Sequence, residues 1–160
     1  MKRYTFEIYK EYEHVTIYTI REKGAGHSET DRFLLRFMNE PKFQNAIQRI
    51  VYWIRNIGER GVLERYFRPE RKAVAIPING GKLRLYGYRV NDQILILGNG
   101  GEKTSRKVQD SPDAFPHFNL MNDVAYLFNL KLEKGQLSID GRYLQGELTF
   151  FKRDKNTDHE

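Results

Sequence analysis

Between Val62 and Leu97 four β-rich runs follow one another with only turns between them. The runs are Val62–Phe67, Ala73–Pro77, Leu83–Val90 and Gln93–Leu97, and the turns carry Arg68-Pro69, Asn79-Gly80-Gly81 and Asn91-Asp92. Parallel neighbours need a crossover of about a dozen residues or more, so runs this close pair as an antiparallel meander. Asn91 and Asp92 both tolerate positive φ, which suits a two-residue hairpin between the last two runs.

The flanks switch period. Tyr4 to Arg21 alternates apolar and polar residues around a polar turn at Lys10-Glu11-Tyr12-Glu13, the pattern of a hairpin. Ser28-Glu29-Thr30-Asp31 is a helix start with carboxylates where the helix dipole favours them. Phe33, Leu34, Phe37 and Met38 follow at helical spacing, and Pro41 interrupts. A second helix carries the stripe Phe43, Ala46, Ile47, Ile50, Val51, Ile54 and Ile57, closed by Gly58 and Gly61. Trp53 lies beside that stripe and reads as packing. A third helix is predicted over Asp113–Glu133, then a hairpin around Asp140-Gly141 and a charged tail from Lys152. Helices and strands are grouped rather than alternating, so the fold class is α+β. With 160 residues, one domain over residues 1–152 is expected, with a disordered tail at 153–160.

Composition narrows the function classes. The absence of cysteine removes disulfides, thiolate metal sites and a cysteine nucleophile, and suits a reducing compartment. Nothing after Met1 resembles a signal peptide, and no run is apolar for long enough to span a bilayer, so a cytoplasmic protein without a membrane partner is expected. The four histidines lie outside ligand spacing of one another, so no metal and no cofactor is expected. Gly98-Asn99-Gly100-Gly101-Glu102-Lys103-Thr104 lacks the spacing of a nucleotide-binding P-loop. As a glycine-rich turn it could still bring amides near one phosphate.

A net charge of +6 and a 13% aromatic share turn attention to polyanions. On a strand Leu83 and Leu85 point one way, while Arg84, Tyr86 and Tyr88 point the other. A guanidinium beside two phenols can hold a phosphate and stack a base. The same residues also suit cross-strand aromatic pairs. Upstream lies Arg65-Tyr66-Phe67-Arg68-Pro69-Glu70-Arg71-Lys72, and downstream Lys103-Thr104-Ser105-Arg106-Lys107. Three basic clusters around one meander favour a polyanion site.

The run Leu83-Arg84-Leu85-Tyr86-Gly87-Tyr88-Arg89, then Ile94-Leu95-Ile96-Leu97, then Lys103-Thr104-Ser105-Arg106-Lys107 and Ser111-Pro112, resembles the RelE/HigB superfamily of bacterial toxins over about residues 43–112. The resemblance implies a curved antiparallel sheet with helices packed on one face, extended here by the N-terminal hairpin and by the C-terminal helix and hairpin. It implies a metal-independent endoribonuclease acting on mRNA, ribosome-associated, and neutralised by a small antitoxin. The RNA 2′-hydroxyl would be the nucleophile, with a base, an acid and cations on the phosphate. Mapped residue by residue, catalysis falls to Arg84, Tyr88, Arg89 and Lys103, and RNA or phosphate contacts to Arg68, Arg71, Tyr86 and Lys107. The terminal catalytic Tyr, His or Asp of such toxins has its nearest counterpart in Asp113-Ala114-Phe115-Pro116-His117. A chain of this fold that binds nucleic acid or an acidic protein without catalysis is the alternative, and the added hairpins could cover the sheet or form a homodimer.

Overall fold

The computed structural model describes residues 1–76 and 81–152. The expected disordered tail at 153–160, and Asn79-Gly80 of the turn before Leu83, lie outside them. Strands β1 (Arg3–Glu11) and β2 (Thr16–Glu22) form the predicted hairpin, with a bulge between Ile8 and Lys10. Helix α1 (Glu29–Phe37) begins where predicted: Ser28 Oγ accepts from Asp31 N at 3.1 Å, and Glu29 and Asp31 occupy the first turn. Pro41–Phe43 makes one 3-10 turn before α2 (Gln44–Arg60), which Gly61 ends at φ +120°.

The predicted strand Val62–Phe67 is instead a loop with a 3-10 turn at Glu64–Tyr66. The pairing strand starts later, as β3 (Arg68–Glu70), and a tight turn with Arg71 at φ +61° leads into β4 (Ala73–Ile76). Pro69 is tolerated because β3 is an edge strand. Then come β5 (Leu83–Asn91), β6 (Ile94–Glu102), α3 (Phe115–Glu133), β7 (Leu137–Asp140), β8 (Tyr143–Gly146) and β9 (Thr149–Phe151).

Seven strands form one sheet in the order β3-β4-β5-β6-β2-β1-β9. Its pairs are antiparallel except β2 with β6, where Thr16 faces Ile94 and Thr19 faces Leu97 in parallel. The crossover through α1 and α2 makes that parallel pair possible. The N-terminal hairpin is therefore built into the sheet, and β2 sits near its centre.

Helices cover both faces, which corrects the expected one-faced arrangement. On one side Phe33 and Phe37 of α1 and Ile47, Ile50, Ile54 and Ile57 of α2 meet Leu83, Leu85, Leu95 and Leu97. On the other, Phe118, Met121, Val124 and Phe128 of α3 meet Phe6, Tyr86, Ile94 and Ile96. The continuous run Ile94–Leu97 is fully buried because its alternate side chains enter two different cores. The β7–β8 hairpin closes over the α3 side through Leu137 and Leu144, with Leu144 N donating to Tyr18 Oη at 2.9 Å.

Candidate nucleic-acid interface

Strand β5 alternates as predicted, but its basic-aromatic side faces α3 and not solvent. Arg84 is 5% exposed and Tyr86 0%. Arg84 Nη1 donates to the Gly81 carbonyl at 2.5 Å and the Leu83 carbonyl at 3.3 Å. The Tyr86 ring meets Phe118 edge-on, with centroids 5.7 Å apart. Tyr88 is half-buried; its ring packs against Phe128, and Asn129 Nδ2 donates to its hydroxyl at 2.9 Å. Arg84 and Tyr86 therefore cannot touch RNA in this structure, and Tyr88 is engaged by α3.

The glycine-rich run explains how the cover gets so close. Gly98–Gly101 is part of β6, not a phosphate-cradling turn. A Cβ on Gly98 would stand 2.5 Å from Met121 Sδ, and one on Gly101 2.6 Å from the Asp113 carbonyl. These glycines let α3 and the chain leading into it sit directly on the strand.

The other residues assigned to catalysis are dispersed. Arg89 is on the α2 side, where Nε donates to the Val62 carbonyl at 2.7 Å and the guanidinium pairs with Asp92 and, at 3.5 Å, with Glu64. It lies opposite Leu95 near the start of β6, whereas Lys103 follows the end of that strand. The distance from Leu83 to Arg89 along β5 puts them about 20 Å apart at about 3.3 Å per residue. Among the expected phosphate contacts, Arg68, Arg71 and Lys107 are exposed, but Arg68 and Arg71 belong to the β3 edge and Lys107 to the loop after β6.

What the fold does gather is a basic rim at one end of the sheet. Because β2 and β6 run parallel, the ends of both strands, the start of β1 and the start of β5 meet there. Lys23 N donates to the Arg3 carbonyl, Lys103 N to the Lys82 carbonyl, and Lys152 N to the Lys2 carbonyl, at 2.6–2.9 Å. The loop after Lys103 is held firmly. Buried Ser111 Oγ accepts from Thr104 N at 3.1 Å and Ser105 N at 3.0 Å, and Val108 is anchored at 8% exposure. Asp113 Oδ2 accepts from Glu102 N at 2.7 Å, and Arg36 pairs with Asp113 at 2.6 Å. The loop thus presents Arg106 and Lys107 to solvent from a fixed backbone.

The same end contains a polar cavity of about 170 Å³ that pattern reading missed, lined by Tyr4, Glu29, Arg32, Asn99 and His117 among others. Glu29 is 5% exposed; its carboxylate pairs with Arg32 at 3.0 Å and accepts from Asn99 Nδ2 at 3.3 Å. Burial lowers the His117 pKa below its usual value against the opposing pull of Glu29 and Asp113. Burial, with Glu29 and Glu22 adding, pushes the Tyr4 phenol up to about 12. Four elements supply these groups; Glu29, Asn99 and His117 each lay in a segment the sequence singled out, but nothing in the sequence joined the three. Among the described residues no group of His, Cys, Asp and Glu could hold a metal ion, and no helix is long and apolar enough to cross a membrane. No family model, no curated protein and no solved structure matches this chain.

Proposed function

We propose that this chain is an RNA-binding protein that engages the phosphate backbone through the basic rim. The observation that carries the reading is the loop after β6, tied down by Ser111 and holding Arg106 and Lys107 in solvent beside Lys82 and Lys103. A rigid backbone that presents cations spends little conformational entropy on binding. Fluorescence anisotropy of a labelled single-stranded RNA, followed across a salt series, tests this. Binding weakens with salt, and the double variant Arg106→Ala/Lys107→Ala lowers the log–log slope by about 0.7 for each phosphate that is no longer neutralised. Salt-independent binding, or a slope unchanged in that variant, sinks the reading.

The toxin reading, an mRNA endoribonuclease of RelE/HigB type with an antitoxin partner in the cytoplasm, is favoured by one observation. His117, whose pKa burial lowers below its usual value, lines a polar cavity at the same end as the rim. Arg84 and Tyr86 take no part in it, since both are buried, Tyr86 beneath α3. Induced expression in bacteria, with growth and mRNA ends followed together, separates the two. Growth arrest with new mRNA ends, both lost in His117→Gln, favours the nuclease. Normal growth with intact mRNA from folded protein leaves the binding reading.

A further inference from the structure

The outer side of α2 carries one exposed ring, Tyr52, beside two that are only partly buried against the core, Trp53 and Tyr66. The core stripe of the helix is Ile47, Ile50, Ile54 and Ile57. Arg49, Tyr52, Trp53 and Asn56 recur at i, i+3, i+4 and i+7 and so share a different face. Tyr52 is 57% exposed. Trp53 and Tyr66 are half-buried and rest against the α1–α2 core. Tyr66 arrives from the 3-10 turn that follows the α2 stop at Gly61, and it completes a row. Tyr52 and Trp53 centroids are 5.7 Å apart, Trp53 and Tyr66 5.5 Å, and the Arg65 guanidinium lies 5.4 Å from the Tyr66 centroid.

The three rings make one contiguous aromatic patch that is partly open to solvent, and contiguous apolar patches mark interaction sites more often than scattered single residues do. Charge decides which kind. Arg65 caps one end of the row, and exposed Arg49, which has no ion pair among the described residues, stands one turn before Tyr52. The acid nearest in sequence, Glu64, is engaged by Arg89. Rings interleaved with guanidinium groups suit unpaired bases on a phosphate backbone.

We infer that Tyr52, Trp53 and Tyr66 form a stacking platform for the bases of single-stranded RNA, with Arg49 and Arg65 on the flanking phosphates. This deepens the RNA-binding reading and rests on it, adding base contact at α2 to the backbone contact at the rim. The rings are sequence-tolerant partners, so the platform takes unpaired strands in preference to duplex.

Trp53 is the sole tryptophan, so its emission reports on this surface alone. The full chain is titrated with a labelled adenine oligoribonucleotide, reading label anisotropy and Trp53 emission together, and in parallel with inorganic polyphosphate. RNA quenches the emission as anisotropy rises; polyphosphate leaves it unchanged. Tyr52→Ala weakens RNA binding about fivefold or more, and Tyr52→Phe, which keeps the ring, restores it. RNA that binds with unchanged emission and is indifferent to Tyr52→Ala overturns the platform and leaves the rim intact. Equal quenching by polyphosphate also overturns it. No binding by anisotropy overturns both. Emission that changes with protein concentration and not with RNA assigns the rings to a protein interface and overturns the inference.

Discussion

Strand β5 and the loop that follows β6 both carry cations that suit a polyanion, and they meet opposite fates. Arg84 and Tyr86 look like an RNA-binding surface in sequence and end buried; Arg106 and Lys107, in a basic run that the sequence also favours for a polyanion, end exposed on a fixed rim. Alternation along a strand decides which residues share a side. It says nothing about whether a later element will cover that side. Here α3, arriving after the whole meander is complete, converts the basic-aromatic side into the floor of a second core.

The sharpest way to break this contrast is to remove a ring from the covered side. Tyr86→Ala takes away a fully buried ring that packs against Phe118, and it should cost about 3–5 kcal/mol in denaturant unfolding. A loss below about 1 kcal/mol, with the change appearing in RNA affinity instead, would return Tyr86 to the interface.

Ser111→Ala acts on the hinge between the two regions. It leaves the amides of Thr104 and Ser105 without the hydroxyl that accepts from them, and about 1–3 kcal/mol is expected from the missing hydrogen bonds. The loop also loses its tether, so RNA affinity falls although no cation has been touched. Unchanged affinity would show that the ordering of the loop is irrelevant to binding.

His117 sharpens the contrast through pH. Its folded-state pKa lies below the unfolded value, so the unfolded chain takes up the proton first. Stability from this group is therefore lost as pH falls from about 6.5 through the lower folded value, and it is flat above that window. Around it stand Glu29, Arg32 and Arg36 of α1, Asp113 on its own segment, and Lys2, Tyr4, Glu22 and Lys152 from the neighbouring strands. Urea unfolding at about pH 7.5 and about pH 5.5 should show a smaller acid-side loss in His117→Gln than in the parent. An equal loss in both would assign the acid sensitivity to the carboxylates.

These outcomes also measure how far the sequence could be read. The N-cap at Ser28, the α2 stripe and the antiparallel meander were legible because each rests on neighbours in sequence. The continuous Ile94–Leu97 run carried the mark of a strand buried on both faces, yet the resemblance to a one-faced sheet pointed the other way. The pairing of β2 with β6, and the meeting of Glu29, Asn99 and His117, depend on a crossover that no local pattern encodes. Trp53, read as packing, is half that and half surface: it rests on the core and touches both the core-packed Tyr66 and the exposed Tyr52.

The smallest effect on stability is expected where the effect on binding is large. Arg106 and Lys107 are exposed and follow a strand whose end is already held by the Lys103–Lys82 and Glu102–Asp113 hydrogen bonds. Replacing both with alanine disturbs no buried packing, so the unfolding midpoint should move by no more than about 0.5 kcal/mol in free energy. The slight decrease in self-repulsion of a chain at +6 pulls towards stabilisation. Binding behaves differently because each neutralised phosphate releases counterions whatever the same side chain does for folding. A double variant that keeps its stability and loses its salt-dependent affinity therefore locates function on the rim. One that unfolds would mean these cations serve the fold, and the division between covered face and open rim would fail at its open side.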